Sequence, residues 1–162
     1  MENTAIPVNP KVLKDEITRS MREVGIPPHL DGYGYIKTGL EVIFSTTGIL
    51  RRVTTELYPR IAMVHDTIPS RVERGIRHAI EATYCRNDPN FLCELMGLPD
   101  INKGKLTNSE FLARMSENIR MNLDRFTELK DEELSQSCKD LANDARLLQL
   151  RQDLIALGVI KG

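Results

Sequence analysis

Apolar side chains recur every three or four positions along most of this 162-residue chain, and no stretch alternates as a half-buried strand does. The pattern predicts an all-α protein. Asn9 before Pro10 is an N-cap followed by proline at the first helical position, and Leu13, Ile17, Met21 and Val24 form the stripe of a first helix. Gly25 ends that helix, and Pro27-Pro28 forbids its continuation. A second helix, over about 30–45, turns Tyr33, Ile36, Leu40 and Ile43 inward. Its glycines at 32, 34 and 39 each weaken it by up to ~1 kcal/mol against alanine. Thr46-Thr47-Gly48 closes it. A third helix starts near Tyr58, which puts Pro59 in its first turn, and ends near Val64 with Leu57, Ile61 and Val64 apolar.

His65-Asp66-Thr67 then makes a turn, and the stretch Thr67 to Arg86 follows as a fourth helix with two faces. At about 100° per residue, Val72, Ile76, Ala79, Ile80 and Thr83 share one arc. Ser70, Glu73, Arg74, Arg77 and Glu81 share the opposite arc, with Arg71 and His78 on a flank. A small Ala62 lies ten residues before buried Val72, as the crossing of two helices requires. Helix, short turn, helix is the context of a helix-turn-helix, whose second helix enters the major groove. Asp66 stands where such turns usually carry glycine, and it tolerates the left-handed conformation better than most residues. Gly75 costs helix stability and permits a close approach, either to DNA or to a neighbouring helix.

A short fifth helix opens at Asn87 or Asp88 before Pro89, carries Phe91, Leu92, Leu95 and Met96, and stops at Gly97 and Pro99. After a loop containing Lys103, Gly104 and Lys105, the capping box Thr107 to Glu110 opens a sixth helix with Phe111, Leu112, Met115 and Ile119. The chain therefore divides at 1–122, a compact six-helix bundle containing the helix-turn-helix, and 123–162, a C-terminal helical extension. In the extension Leu134, Cys138, Leu141, Ala145, Leu148 and Ile155 follow a 4-3 rhythm, broken by Gln152, and Asp131, Glu132 and Glu133 suit a helix N-terminus. Two readings stand: the extension packs back on its own domain, or it is a short coiled-coil or partner-binding helix.

Formal net charge is −1, so the total gives no support to nucleic-acid binding, but the distribution does. From Arg51 to Arg86 seven arginines face Glu56, Asp66, Glu73 and Glu81, while the extension has eight acids against six bases. Arginine forks pair bidentately with guanine edges, and a carboxylate accepts from a cytosine amine. The alternative for this helix is the ordinary charged face of any soluble helix. Cys85, Cys93 and Cys138 are widely spaced without a CxxC, which points to small buried thiols rather than a zinc site or disulfide framework. The N-terminus lacks a signal-peptide pattern and no apolar run approaches eighteen residues, so neither secretion nor membrane spanning is implied.

The run SRVERGIRHAIE (Ser70 to Glu81) resembles the recognition helix of the DNA-binding effector domain of the sporulation-initiation response regulator. VGIPPHLDGYGYI (Val24 to Ile36), ELYPRIA (Glu56 to Ala62, with Pro59) and LTNSEFLARM (Leu106 to Met115) extend the resemblance over about Asp15 to Met121. It implies a compact bundle of six helices that binds a box resembling TGTCGAA, often in tandem copies, and acts on promoters. It assigns base reading to Arg71, Glu73, Arg74 and Arg77. Arg74 and Arg77 go to guanine edges. Glu73 takes a cytosine amine or orients an arginine, and Arg71 takes a base or a phosphate. Thr67, Ser70 and His78 become contacts to the DNA backbone, which fix register without reading sequence. The implied partners are double-stranded DNA, a second copy on tandem sites through the first and sixth helices, and a sigma factor of RNA polymerase near Asn87 to Met96. The implied location is the cytoplasm of a bacterium, at the nucleoid. The chain departs from the pattern twice: only about ten residues precede the first helix, too few for the phosphorylatable receiver, and the extension has no counterpart.

Three function classes compete. A sequence-specific DNA-binding regulator leads. A protein-interaction module, such as an antagonist pairing with a full-length regulator, needs no intact base-reading face. Catalysis has no support: His29, His65 and His78 do not cluster with a nucleophile, and no phosphate loop, metal spacing or cofactor motif is present. His65 instead reads as a partly buried turn histidine.

Overall fold

The computed structural model describes residues 9–97 and 106–156, and among these there is no strand. The protein is all-α. Among the described residues six α-helices follow one another: α1 (Pro10–Val24), α2 (Asp31–Ser45), α3 (Tyr58–Val64), α4 (Pro69–Arg86), α5 (Pro89–Leu95) and α6 (Asn108–Ala156). Two compact units divide the chain at Leu123 and Asp124. The first unit contains α1 to α5 and the beginning of α6. The loop with Lys103, Gly104 and Lys105 lies outside the described residues.

The caps act where the sequence places them. The Asn9 side chain accepts from the Lys11 N–H at 3.0 Å, and Gly25, at φ 77°, closes α1 with its N–H on Arg22 and Met21 carbonyls. At α6 the Thr107 N–H and hydroxyl both donate to Glu110 Oε2, at 2.9 and 2.7 Å. Those bonds, the backbone one foremost, hold the Glu110 carboxyl below its ordinary pKa. Their contribution is therefore present above the usual carboxylate range and is lost as pH falls through the lowered value.

The core is aliphatic with few rings. Ile17, Met21, Ile36, Leu40, Leu57, Ile61, Ile76, Ile80, Phe111, Leu112 and Met115 are fully enclosed. The inward face of α2 is Gly32, Tyr35, Ile36, Gly39, Leu40 and Ile43; Tyr33, expected inside, packs only partly against it. Leu92 in α5 and Met96 just after it are buried, while Phe91 is exposed. Glu16 is buried on α1, where it accepts from Asn122 Nδ2 at 2.7 Å and Ser20 Oγ at 3.3 Å. Cys85 and Cys138 are exposed and Cys93 is half-buried, so the expectation of buried thiols does not hold.

The segment before α3 differs from the sequence pattern. Ile49–Arg52 forms a 3₁₀ turn and Val53–Leu57 a π turn, in which the Tyr58 N–H reaches back to the Val53 carbonyl. A π turn inserts an extra residue, and proline at the second position of α3 adds no N–H to the ladder. The phase counted from Leu57 holds as far as Ile61, since both are fully buried, and it fails only at Val64, the last residue of α3. Its buried face is Tyr58, Ile61 and Ala62, and Val64 is 67% exposed rather than inward.

The crossing of α2 over α4 answers the question that Gly75 raises. A Cβ on Gly32 would sit 2.1 Å from the Gly75 carbonyl oxygen and 2.7 Å from Ala79 Cβ; one on Gly75 would sit 2.8 Å from the Tyr35 ring. The glycines let two helix backbones touch, so Gly75 serves a neighbouring helix. In the second unit, Cys138, Leu141, Ala145 and Leu148 are exposed; the Leu134 and Ile155 side chains and that of Asp131 lie outside the described residues.

Candidate nucleic-acid interface

The turn between α3 and α4 is built by backbone chemistry. The His65 N–H donates to the Ile61 carbonyl at 3.1 Å, and the Thr67 N–H reaches the Ala62 carbonyl at 2.9 Å across Asp66. Asp66 has φ 49°, and no other non-glycine among the described residues has positive φ. This is the six-to-one bond of a helix C-terminal motif, with aspartate in the left-handed position that glycine usually takes. Asp66→Val should therefore cost about 1 to 2 kcal/mol, since a β-branched residue pays the full left-handed penalty. Urea unfolding checks this, with Asp66→Gly as the variant that loses nothing comparable.

His65 fixes the turn to α2. Its Nε2 lies 2.8 Å from Thr38 Oγ1, and its ring meets Tyr35 edge-on at 5.0 Å and 85°. It is the half-buried turn histidine that the sequence suggests. Beyond the turn, Ile68 is extended, Pro69 occupies the first helical position, and the Arg71 and Val72 N–H groups both bond the Ile68 carbonyl. No side chain caps this helix start.

α4 then sorts its residues as the periodicity predicts. Val72, Ile76, Ala79, Ile80 and Thr83 are buried. Ser70, Arg71, Arg74, Arg77 and His78 are exposed, and Glu73 is half-exposed. Arg77 Nη2 donates to Glu73 Oε1 at 3.3 Å, an open i, i+4 pair. Such a pair is worth about 0.3 to 0.5 kcal/mol, so Arg77 leaves it at little cost. Arg71 and Arg74 have no carboxylate within 4.0 Å among the described residues. Thr67 differs from the other residues singled out. Its hydroxyl is buried without a partner and its N–H is taken by Ala62, so neither of its donors faces outward.

Sequence reasoning misses Asn108. In the capping box it reads as a spacer, yet it is buried, and its Nδ2 donates to Tyr58 Oη at 3.1 Å and to the Glu73 carbonyl at 3.0 Å. One amide thus pins α3, α4 and the start of α6 beside the exposed arginines. Burial, foremost, raises the Tyr58 pKa, opposed by the Asn108 hydrogen bond. The available signal was an amide beside an apolar run whose helix start was already capped by Thr107. Asn87 does the same at the other end, with Nδ2 on the Val24 and Thr83 carbonyls at 3.1 and 2.9 Å. Asn108→Ala should cost about 1 to 3 kcal/mol, because a buried hydroxyl and carbonyl lose their shared donor. Chemical unfolding measures it, and DNA affinity should fall with it even though Asn108 carries no charge.

Two helices joined by a four-residue turn, His65 to Ile68, the second buried on its aliphatic side and lined with arginine outside, define a helix-turn-helix domain. Residues 17–119 match the family described as Sporulation initiation factor Spo0A C terminal, and the chain belongs to that family. It is accordingly a DNA-binding effector domain of transcription regulation in sporulation, a family of regulatory domains and not of enzymes. No helix among the described residues is long and apolar enough to cross a membrane, and no cluster of three metal-binding side chains occurs among them.

Proposed function

We propose that the chain is a sequence-specific transcriptional regulator that lays α4 in the major groove of a TGTCGAA-like box. The observation that carries this reading is the exposure of Arg71, Arg74 and Arg77 on a helix whose other side is anchored by Val72, Ile76 and Ile80. Arg74 and Arg77 take guanine edges, where a bidentate fork fits O6 and N7. Glu73, already paired with Arg77, orients that arginine or accepts from a cytosine amine. Arg71 takes a base or a phosphate from the flank. Ser70 and His78 hold the DNA backbone and set register. Thr67 can contribute there only after its hydroxyl turns outward.

On this reading the protein works at the bacterial nucleoid, in the cytoplasm, and occupies tandem boxes as pairs. The surface Asn87 to Met96, where Phe91 is exposed, is offered to a sigma factor of RNA polymerase. Selection of bound sites from random DNA tests the proposal: a TGTCGAA-like box should emerge, and two boxes at fixed spacing mark paired binding. Recovery of unrelated sequences, or equal retention of all DNA, returns the antagonist reading, in which the chain acts by pairing with a full-length regulator.

A further inference from the structure

The 124–156 part of α6 lies beyond the family match and carries an apolar seam whose described residues are exposed. Cys138, Leu141, Ala145, Leu148 and Gln152 succeed one another at steps of 3, 4, 3 and 4, the repeat of a coiled-coil contact line. All five are exposed, Leu141 by 68% and Leu148 by 60%. On the outer side stand Glu132, Glu133, Gln136, Lys139 and Asp140, with Gln136 Nε2 bonded to Asp140 at 3.0 Å. The side opposite the seam is thus polar over 132–140, and further along it carries the exposed Leu147 and Leu154.

We propose that this seam is covered by the same segment of a second copy of the chain, running antiparallel. The residues of the seam alternate in size. One row holds Cys138, Ala145 and Gln152, the other Leu141 and Leu148. In a parallel pair each row faces itself, so Ala145 meets Ala145 and leaves a void, and Gln152 meets Gln152. In an antiparallel pair each row faces the other. Setting Ala145 against the partner's Leu148 then places Leu141 against the partner's Gln152, and the two-fold axis repeats both layers. Every layer joins a large residue to a smaller or slimmer one. One flank, Ala142 and Gln149, carries no charge, and the other carries Asp144 and Arg151, which this antiparallel register sets opposite each other, so identical chains meet without repulsion. The seam is thus complementary to its own reverse, which a partner of unrelated sequence has no reason to match. Leu147 and Leu154 fall outside it.

The test uses the full chain in solution and does not depend on the DNA reading. Light scattering should give twice the 18.4 kDa of one chain. Leu148→Glu should halve that mass with unchanged helical circular dichroism and unchanged preference for the selected box. Register and direction are read by disulfides in a Cys85→Ser, Cys138→Ser background. A mixture of Ala145→Cys and Leu148→Cys chains should cross-link between chains under mild oxidation. In the native sequence the two Cys138 residues would stand about 25 Å apart along the antiparallel pair, beyond disulfide reach. A single-chain mass at the highest soluble concentration overturns the proposal. So does a Cys138 to Cys138 disulfide, which marks a parallel pair, or a larger assembly built through Leu147 and Leu154.

Discussion

Gly32→Ala should destabilise the first unit by about 3 kcal/mol, the upper end of overpacking costs, or prevent folding outright. The added methyl would meet the Gly75 carbonyl oxygen at 2.1 Å and the Ala79 Cβ at 2.7 Å, both attached to the α4 backbone. Neither can rotate away, so α2 and α4 must separate, and with them the buried anchors Val72 and Ile76. Alanine's helix preference returns only about 1 kcal/mol. Gly75→Ala at the same crossing should behave differently. Its methyl meets the Tyr35 ring at 2.8 and 2.9 Å, and a ring can shift where a backbone cannot. The strain and the propensity gain are then of similar size, about 1 kcal/mol each, and the variant should be near neutral. Urea unfolding of the two variants, compared at equal denaturant slope, separates a crossing governed by backbone contact from one with slack. Negligible losses in both would show that the helices adjust and that neither glycine is required.

That asymmetry also marks where the sequence stops being legible. The six helices, their caps and the two faces of α4 were readable because each rests on local chemistry: Asn9 on Lys11, Thr107 on Glu110, and a 3.6-residue period through Val72, Ile76 and Ile80. Gly32 and Gly75 were visible as weaknesses, but their purpose lies in a contact between residues more than forty positions apart, which periodicity does not encode. Val64 was misplaced for a related reason. Leu57 and Ile61 keep the predicted phase, but Val64 is the last residue of α3, and the apolar spacing does not announce that the helix ends there and leaves it exposed. At the interface, the arginines were legible as charge on one arc. Asn108 was not, because an amide in a capping box looks local until the fold brings Tyr58 and the Glu73 carbonyl to it. Thr67 shows the converse: a hydroxyl at a helix start suggests phosphate binding, yet the left-handed Asp66 ahead of it accompanies a buried hydroxyl.

Arg74→Ala and Arg77→Ala should each lower discrimination between the TGTCGAA-like box and random DNA by about 1 to 3 kcal/mol, roughly 5- to 150-fold in relative affinity. The two arginines start from different states, so their variants carry different information. Arg74 has no carboxylate within 4.0 Å among the described residues, and its loss should act through DNA alone. Arg77 is held at 3.3 Å by Glu73, a contact that pre-orients the fork at small cost. Glu73→Gln resolves which role the carboxylate has. If it orients Arg77, its effect disappears in the Arg77→Ala background, and the double-mutant cycle shows full coupling. If it reads a cytosine amine, its effect persists in that background and is confined to one base pair of the box. Arg71→Ala supplies the control for charge alone. A phosphate contact weakens binding to all sequences equally and lowers the salt slope by about one, whereas a base contact weakens the box selectively. Quantitative binding to the box, to single-base variants and to random DNA at several salt concentrations distinguishes these outcomes. Uniform losses for Arg74→Ala and Arg77→Ala would reduce α4 to an electrostatic anchor and remove base reading from this face.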